Sequence, residues 1–423
     1  MQIKIRQTCR LCGEKTLTPV VNLGEQYLAT FFVSKENENN APTRKVPLEL
    51  VRCNPQLNEK ACGLVQLKHS YPPELMYAEY WYLSGVNQTM KNALTDISRA
   101  ASEIVNLKKG DTVVDIGCND GTLLKSYSVN DIDRIGFDPA QNVAKDFNNE
   151  PFKRVVDFFN YSAYHKINGE KKARVVTSIA MFYDLENPNL FTQDISQILD
   201  EEGVWILQMA DLPKMLKDNV FDSICHEHVC YYHLAPLEWL FSRHGLKLID
   251  IEKNDVNHSS YRLYIGKKER STPITTQAQS RINKVRLEEF NEGYDTDAPY
   301  KLFCESIENN KSEMMRFLQE QKRKRKKVFV YGASTKGNVL LQYYNITNEL
   351  VPFAAERNQK KWGLKTLGSN IPIISEEEAR ELKPDFFLVL PYHFMNEMLE
   401  REKEFTNGGG KFIVPVPQLQ IIP

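Results

Sequence analysis

Across 423 residues the chain has almost no net charge, 54 Lys and Arg against 55 Asp and Glu. It also lacks any apolar run of the roughly eighteen residues that a membrane span requires. Without an excess of cations there is no electrostatic footprint for nucleic acid or for an anionic membrane surface. No basic-plus-apolar leader opens it, so a soluble, cytoplasmic protein with no membrane partner is expected. Cysteine is scarce as well: eight in so long a chain do not make the framework of a small secreted disulfide domain. What the chain has in abundance is length, too much for one hydrophobic core, so two or three domains are expected.

Half of the cysteines gather early. Cys9-Arg10-Leu11-Cys12 forms one knuckle, and Cys53 and Cys62 supply a second pair across an enlarged loop, with His69 as a substitute ligand. Four thiolates at such spacing suit a tetrahedral structural zinc site whose folding energy comes from the metal. Tyr-Pro-Pro at 71–73 marks a break. The aromatic stretch Tyr80-Trp81-Tyr82 then precedes Ser84-Gly85, with Trp81 reading as core and Tyr82 as a site hydroxyl. Met90 to Val105 reads as an amphipathic helix.

The stretch Val113-Val114-Asp115-Ile116-Gly117-Cys118-Asn119-Asp120-Gly121 is a β-branched run, a glycine turn and a helix start. Gly117 and Gly121 suit close approach to an adenosine-bearing cofactor at a helix N-terminus. The polar Asn119 and Asp120 fill the space a pyrophosphate would need, which disfavours a dinucleotide. S-adenosylmethionine (SAM) has no phosphate, and its ammonium and sulfonium charges favour Asp115 and Asp120 nearby. Ile135-Gly136-Phe137-Asp138 reads as a second strand ending in an acid for the ribose hydroxyls, and Asp157-Phe158 falls where an acid meets the adenine amino group. Strands at 174–179 and 203–209 and helices near 140–148 and 189–200 continue the βα rhythm of a doubly wound α/β domain.

Residues 219–233 hold three of the eight histidines, with Glu227 between His226 and His228. The spacing is not that of a zincin helix, though a His-x-His metal pair is conceivable. A histidine oriented by a carboxylate suits general base chemistry. After a charged helical region ending in a basic run at 322–327 comes a second strand-turn-helix, Val328 to Asn338, whose Ser334, Thr335 and Lys336 suit phosphate. Glu356-Arg357-Asn358, a strand running into Leu390-Pro391-Tyr392-His393-Phe394 and a closing strand at 412–414 follow.

In combination and in this order, these motifs resemble the sugar C-methyltransferase family. The motifs that carry the resemblance are the cysteine set followed by Gly63-Leu64-Val65-Gln66-Leu67, the Asp-Ile-Gly-Cys-Asn-Asp-Gly turn, Met181-Phe182-Tyr183-Asp184-Leu185, His226-Glu227-His228, Gly332 to Asn338, Glu356-Arg357-Asn358 and Leu390 to Phe394. The resemblance implies an α/β protein with a zinc-binding lobe (1–72), a Rossmann-like class I methyltransferase domain that binds SAM (73–268) and a Rossmann-like domain that binds a nucleotide-linked keto-deoxy sugar (269–423). It implies methylation at C3 of a 4-keto-6-deoxy sugar. His228 would take the C3 proton, Glu227 would hold its imidazole, and His226 or Tyr82 would donate to the enolate oxygen. Ser334, Thr335, Lys336, Asn338, Glu356, Arg357, Asn358 and His393 would hold the nucleotide sugar. Two positions depart from the family: Cys225 stands where a tyrosine is usual, and Ser259-Ser260-Tyr261 precedes Arg262 in place of a Gly-Gly-Ser.

Two other readings separate by experiment. A methyltransferase acting on oxygen or nitrogen would need no ketone in its substrate. A zinc-ribbon nucleic-acid binder would bind RNA in a salt-dependent manner.

Overall fold

The computed structural model describes residues 3–34, 44–72, 76, 82–146 and 150–423. Tyr80 and Trp81 lie outside the described residues, as does the end of the helix expected near 140–148. Among the described residues no helix is long and apolar enough to cross a membrane.

The central sheet has seven strands. Its order is Lys153–Val155, Asp133–Phe137, Thr112–Ile116, Ala173–Ile179, Leu199–Ala210, Ser260–Lys267, Leu246–Asn254. The first five run parallel, and Ser260–Lys267 is antiparallel to both of its neighbours. Counted in chain order this is 3-2-1-4-5-7-6. Every residue of Thr112–Ile116 is buried, as a parallel strand covered on both faces must be. The order reverses beside this strand, and the crevice outside its carboxyl end is where such sheets take ligands.

A second parallel sheet repeats the plan, with Ile373–Ser375, Ala354–Glu356, Val328–Tyr331, Phe386–Val389 and Lys411–Val414 in that order. Gln420–Ile422, which the sequence pattern did not suggest, closes its edge as an antiparallel partner of Lys411–Val414. Two helices, Thr276–Glu292 and Ala298–Arg323, join the two sheets, and the basic run 322–327 is exposed at the end of the second.

The N-terminal sheet is antiparallel. Leu17–Gln26, Val46–Cys53 and Val65–Leu67 supply three of its strands, and the fourth, Cys230–Tyr231, comes from far along the chain, directly after the histidine cluster. Arg52 of this sheet reaches Asp297 at 2.5 Å and lies over the Tyr300 ring, tying the lobe to Ala298–Arg323. One continuous buried cluster includes Leu50, Trp205 and Val330, one residue from each sheet.

Two glycines of the second turn serve packing. Gly332 is left-handed at φ +83°, and a Cβ there would meet Pro391 at 2.6 Å; a Cβ on Gly337 would meet Leu390 Cβ at 2.5 Å. The motifs at 332–338 and 390–394 are therefore two faces of one contact. Leu390 Cβ cannot swing aside, so Gly337→Ala is expected to cost about 1–3 kcal/mol, read as a lower urea midpoint at unchanged slope.

Candidate functional site

The four early cysteines converge. Cys9 Sγ lies 3.5 Å from Cys62 Sγ and Cys12 Sγ 3.4 Å from Cys53 Sγ, and all four sulfurs are within 4.8 Å of one another. No pair among them is joined as a disulfide. A tetrahedral zinc with Zn–S of about 2.3 Å holds its sulfurs roughly 3.8 Å apart, so the donor set fits the metal with small adjustment. The enlarged loop between Cys53 and Cys62 brings both sulfurs into the cluster, and His69 stands apart from it in a short strand paired to Lys4–Ile5.

At the first glycine turn, Asp115, Gly117, Asn119, Asp120, Gly121 and Asp138 are brought together, but several serve other ends than expected. Asp138 Oδ2 accepts from Asn119 N at 2.8 Å and its Oδ1 from Ala140 N at 2.9 Å, which pins the turn to the end of the next strand. Asp115 lies beneath the turn, fully buried and bonded to Thr177 Oγ1 at 2.6 Å, and burial pushes its carboxyl up to about 7. Where a pairing with the cofactor's charges was expected, the structure shows Asp115 in the core. Asp120 also departs from expectation: its oxygens accept from Gly85 N, Thr122 N and Thr122 Oγ1. Asn119 accepts from Ser84 N at 3.0 Å and donates to the Tyr82 carbonyl at 3.0 Å. The two side chains thus fasten the Tyr82–Gly85 segment over the turn. Gly117 and Gly121 are both left-handed, but the space at Gly121 is taken by Phe152 and that at Gly117 faces Met181, so close approach there is to the protein itself. Asp157 and Phe158 are exposed just past Val155, whose carbonyl accepts from Asp138 N at 3.0 Å.

The histidine segment bridges the domains that carry the three large sheets. Phe221 packs on Tyr343 and Tyr344 with ring centroids at 5.7 and 5.4 Å, and the buried Asp222 accepts from Tyr392 OH at 2.9 Å. At its other end Cys230 and Tyr231 pair with Gln66 and Val65 of the N-terminal sheet. His228 lies between these anchors. Its Nδ1 is 2.9 Å from the Ser223 carbonyl, and its ring is 4.3 Å from that of Tyr183. A carbonyl only accepts, so Nδ1 carries the proton and Nε2 keeps its lone pair. Burial holds this imidazole down to about 3, with the Lys336 cation adding to the effect, so it is neutral near pH 7.

The hydrogen bond that sets the His228 tautomer is thus to a backbone carbonyl, where a carboxylate was expected. A Glu227 carboxylate oxygen, a ring nitrogen of His228 and Cys225 Sγ do lie within 4.8 Å of one another. Burial, however, pushes Glu227 up to about 8, which leaves it mostly protonated. His226 is buried against the N-terminal lobe, its ring edge-on to Tyr71 at 5.0 Å. Tyr82 remains exposed beside the first turn.

From the second turn, Lys336 projects its charge onto Asp222, Cys225, Glu227, His228 and His393. Thr335 shares a cleft with Cys225, His226 and Glu227. Ser334 caps its helix by accepting from Gly337 N at 3.0 Å. Glu356 accepts from Ala333 N at 2.9 Å and from Asn358 N at 2.8 Å, so it braces the turn. Three expected ligand residues are placed elsewhere. Asn338 is fully buried and donates to Ala29 O at 3.3 Å, Arg357 is exposed and near Glu397, and Asn358 caps the short helix Gln359–Lys361. The departures at 259–262 are internal too: Ser259 bonds to Asp211, Tyr261 to Glu289, and Arg262 to Gln208 and Asp96.

A 3-2-1-4-5-7-6 sheet, a four-cysteine cluster and a second α/β domain give a class I methyltransferase fold set between a zinc-binding lobe and a C-terminal α/β domain, and together with the following matches they mark a SAM-dependent C-methyltransferase. Family models match in tandem: a zinc binding domain over 9–77, a methyltransferase domain over 86–251 and a C-methyltransferase C-terminal domain over 257–417. The chain is similar to C-methyltransferase NovU of Streptomyces niveus, 28% identical over 417 residues that cover 98% of this chain and 96% of that protein. Among solved structures, an S-adenosylmethionine-dependent methyltransferase from Clostridium acetobutylicum is 12% identical over 42% of this chain and 91% of its own (TM-score 0.32). The cyclopropane synthase MmaA2 from Mycobacterium tuberculosis is 14% identical over 55% and 85% (TM-score 0.31).

The purified protein is expected to hold one zinc per chain by elemental analysis, and Cys12→Ser to lose most of it together with thermal stability.

Proposed function

We infer that the chain methylates C3 of a nucleotide-linked 4-keto-6-deoxy sugar, with residues 1–72 as zinc lobe, 73–268 as SAM domain and 269–423 as nucleotide-sugar domain. The observation that carries this reading is the His228 imidazole, tautomer set by the Ser223 carbonyl, facing a cation delivered from the other α/β domain.

Carbon is a poor nucleophile until a proton beside a carbonyl is removed. A ketone at C4 makes the C3 proton acidic enough for an imidazole. His228 Nε2 takes that proton, and the electron pair left on C3 delocalises onto the ketone oxygen. Lys336 is the cation within electrostatic reach to favour the resulting enolate, and Tyr82 is the hydroxyl proposed to donate to it. Glu227, as a neutral acid, adds no opposing charge. When bound, SAM supplies an electrophilic methyl group. Asp138 and Asn119 would hold its ribose, with Asp157 and Phe158 toward the adenine. Thr335, Lys336 and His393 would meet the diphosphate and sugar. Holding both partners in one cleft removes the cost of bringing them together, which is the reason for two nucleoside-binding domains in one chain.

Labelled SAM with a panel of nucleotide sugars is expected to give product from 4-keto and none from 4-hydroxy compounds; product from the 4-hydroxy series alone overturns the carbon-acid mechanism. His228→Ala is expected to keep SAM affinity and lose both turnover and C3 deuterium exchange. Because His228 is held down to about 3 from an ordinary 6.5, the acid limb of kcat/KM is expected well below pH 6.5. An acid limb at or above 6.5 contradicts a buried imidazole base.

A further inference from the structure

Arg10 sits in the cysteine knuckle, yet its guanidinium is buried and turned away from the sulfur cluster. Its Nη1 donates to Leu67 O at 2.6 Å, and its Nη2 to Ser70 Oγ at 2.8 Å, His69 O at 3.4 Å and Glu186 Oε1 at 3.1 Å. Its backbone N donates to Gln66 Oε1 at 2.9 Å. A fixed planar fork is what allows one side chain to grip acceptors on two separate segments, and a lysine cannot reproduce it.

Both gripped segments lead to His228. On one side, Val65–Leu67 pairs with Cys230–Tyr231, and Leu67 N donates to Val229 O at 2.9 Å, the carbonyl directly after His228. On the other side, Glu186 lies three residues beyond Tyr183, whose ring rests on the imidazole with centroids 4.3 Å apart. We propose that Arg10 is a positioning residue for His228, which holds the chain beneath the imidazole through Leu67 and the aromatic ring upon it through Glu186.

The groups facing this imidazole are Cys225, Glu227 and Tyr231 from its own loop, Tyr183 from the adjoining short helix and Lys336 from the second turn. Arg10 bonds none of them directly; it reaches Tyr183 through Glu186 and Tyr231 through the strand Val65–Leu67. Loss of the fork therefore acts by letting ring and strand shift, which admits water to the imidazole and leaves the neighbouring charges in place. The role rests on His228 being the base for its kinetic consequence, but not for its structural one.

The test uses full-length Arg10→Met, Arg10→Lys and Glu186→Gln, the last lying outside the knuckle. Zinc content and SAM affinity serve as controls, and the titration of His228 is read by NMR on protein with labelled histidine, assigned with His228→Gln. Arg10→Met and Glu186→Gln are expected to raise the His228 titration midpoint toward 6.5, lower kcat about 10- to 100-fold and move the acid limb of kcat/KM upward. Arg10→Lys restores part of each. An unchanged His228 midpoint in Glu186→Gln overturns the proposal whatever becomes of zinc in the Arg10 variants, as does an unchanged kcat in zinc-replete Arg10→Met. If His228→Gln retains turnover while the midpoint still shifts in the other variants, the base assignment fails and the positioning role stands.

Discussion

The structure depends on one constraint: a loop of about fifteen residues must hold an imidazole still where three independently built sheets meet. The loop has little regular structure of its own, a short helical turn at Phe221–Ser223 and the two-residue strand Cys230–Tyr231. Its order is borrowed. Phe221 and Asp222 are held by the C-terminal domain, Cys230 and Tyr231 by the zinc lobe, and the imidazole itself by a carbonyl within the loop and a tyrosine of the central domain. A segment anchored at both ends loses little further entropy when its middle is fixed.

The two α/β domains use the same local device. In each, the acid ending the second strand accepts a backbone N–H from the turn after the first: Asp138 from Asn119 at 2.8 Å and Glu356 from Ala333 at 2.9 Å. Such an acid fixes the path of the turn and so sets the direction of the helix that follows. In both turns the glycines meet protein rather than open space, Gly121 against Phe152 and Gly337 against Leu390.

Much of this was legible in the sequence, and the failures have a common cause. Apolar runs interrupted by glycine placed both turns, and the four cysteines announced their cluster in spite of the wide second pair. Residue type singled out His228 and Lys336, and the structure sets the Lys336 charge close enough to act on the His228 imidazole. What residue type could not tell was direction. Asp115, Asp120 and Asn338 all have side chains suited to ligands, and all are turned to internal partners. The orienter of His228 is a main-chain carbonyl at Ser223, which leaves no mark on the sequence at all. The pairing of Cys230–Tyr231 with Val65–Leu67 spans more than 160 positions and has no local signal. Tyr183 was within reach, since it belongs to a motif whose aromatic residues had no other assigned task.

These placements bear on why a methyltransferase should include a zinc lobe at all. The antiparallel sheet of that lobe has only three strands of its own, too few to bury both of its edges, and the cysteine cluster supplies order that a small core cannot. Its open edge is completed by the strand that follows His228. The free energy of metal binding is thus spent partly on a strand outside the lobe, and the lobe's stability and the position of the imidazole become one quantity. In the opposite direction, the cation that faces the imidazole belongs to the third lobe, fixed by the packing of Gly332 and Gly337 against Leu390 and Pro391. A carbon acid is only weakly acidic, and small errors in the distance from base to cation are costly when the medium is dry. Under the proposed mechanism base and cation stand on different domains, so their separation must be set by several rigid contacts acting together, and the loop 219–233, anchored to both outer lobes, supplies them.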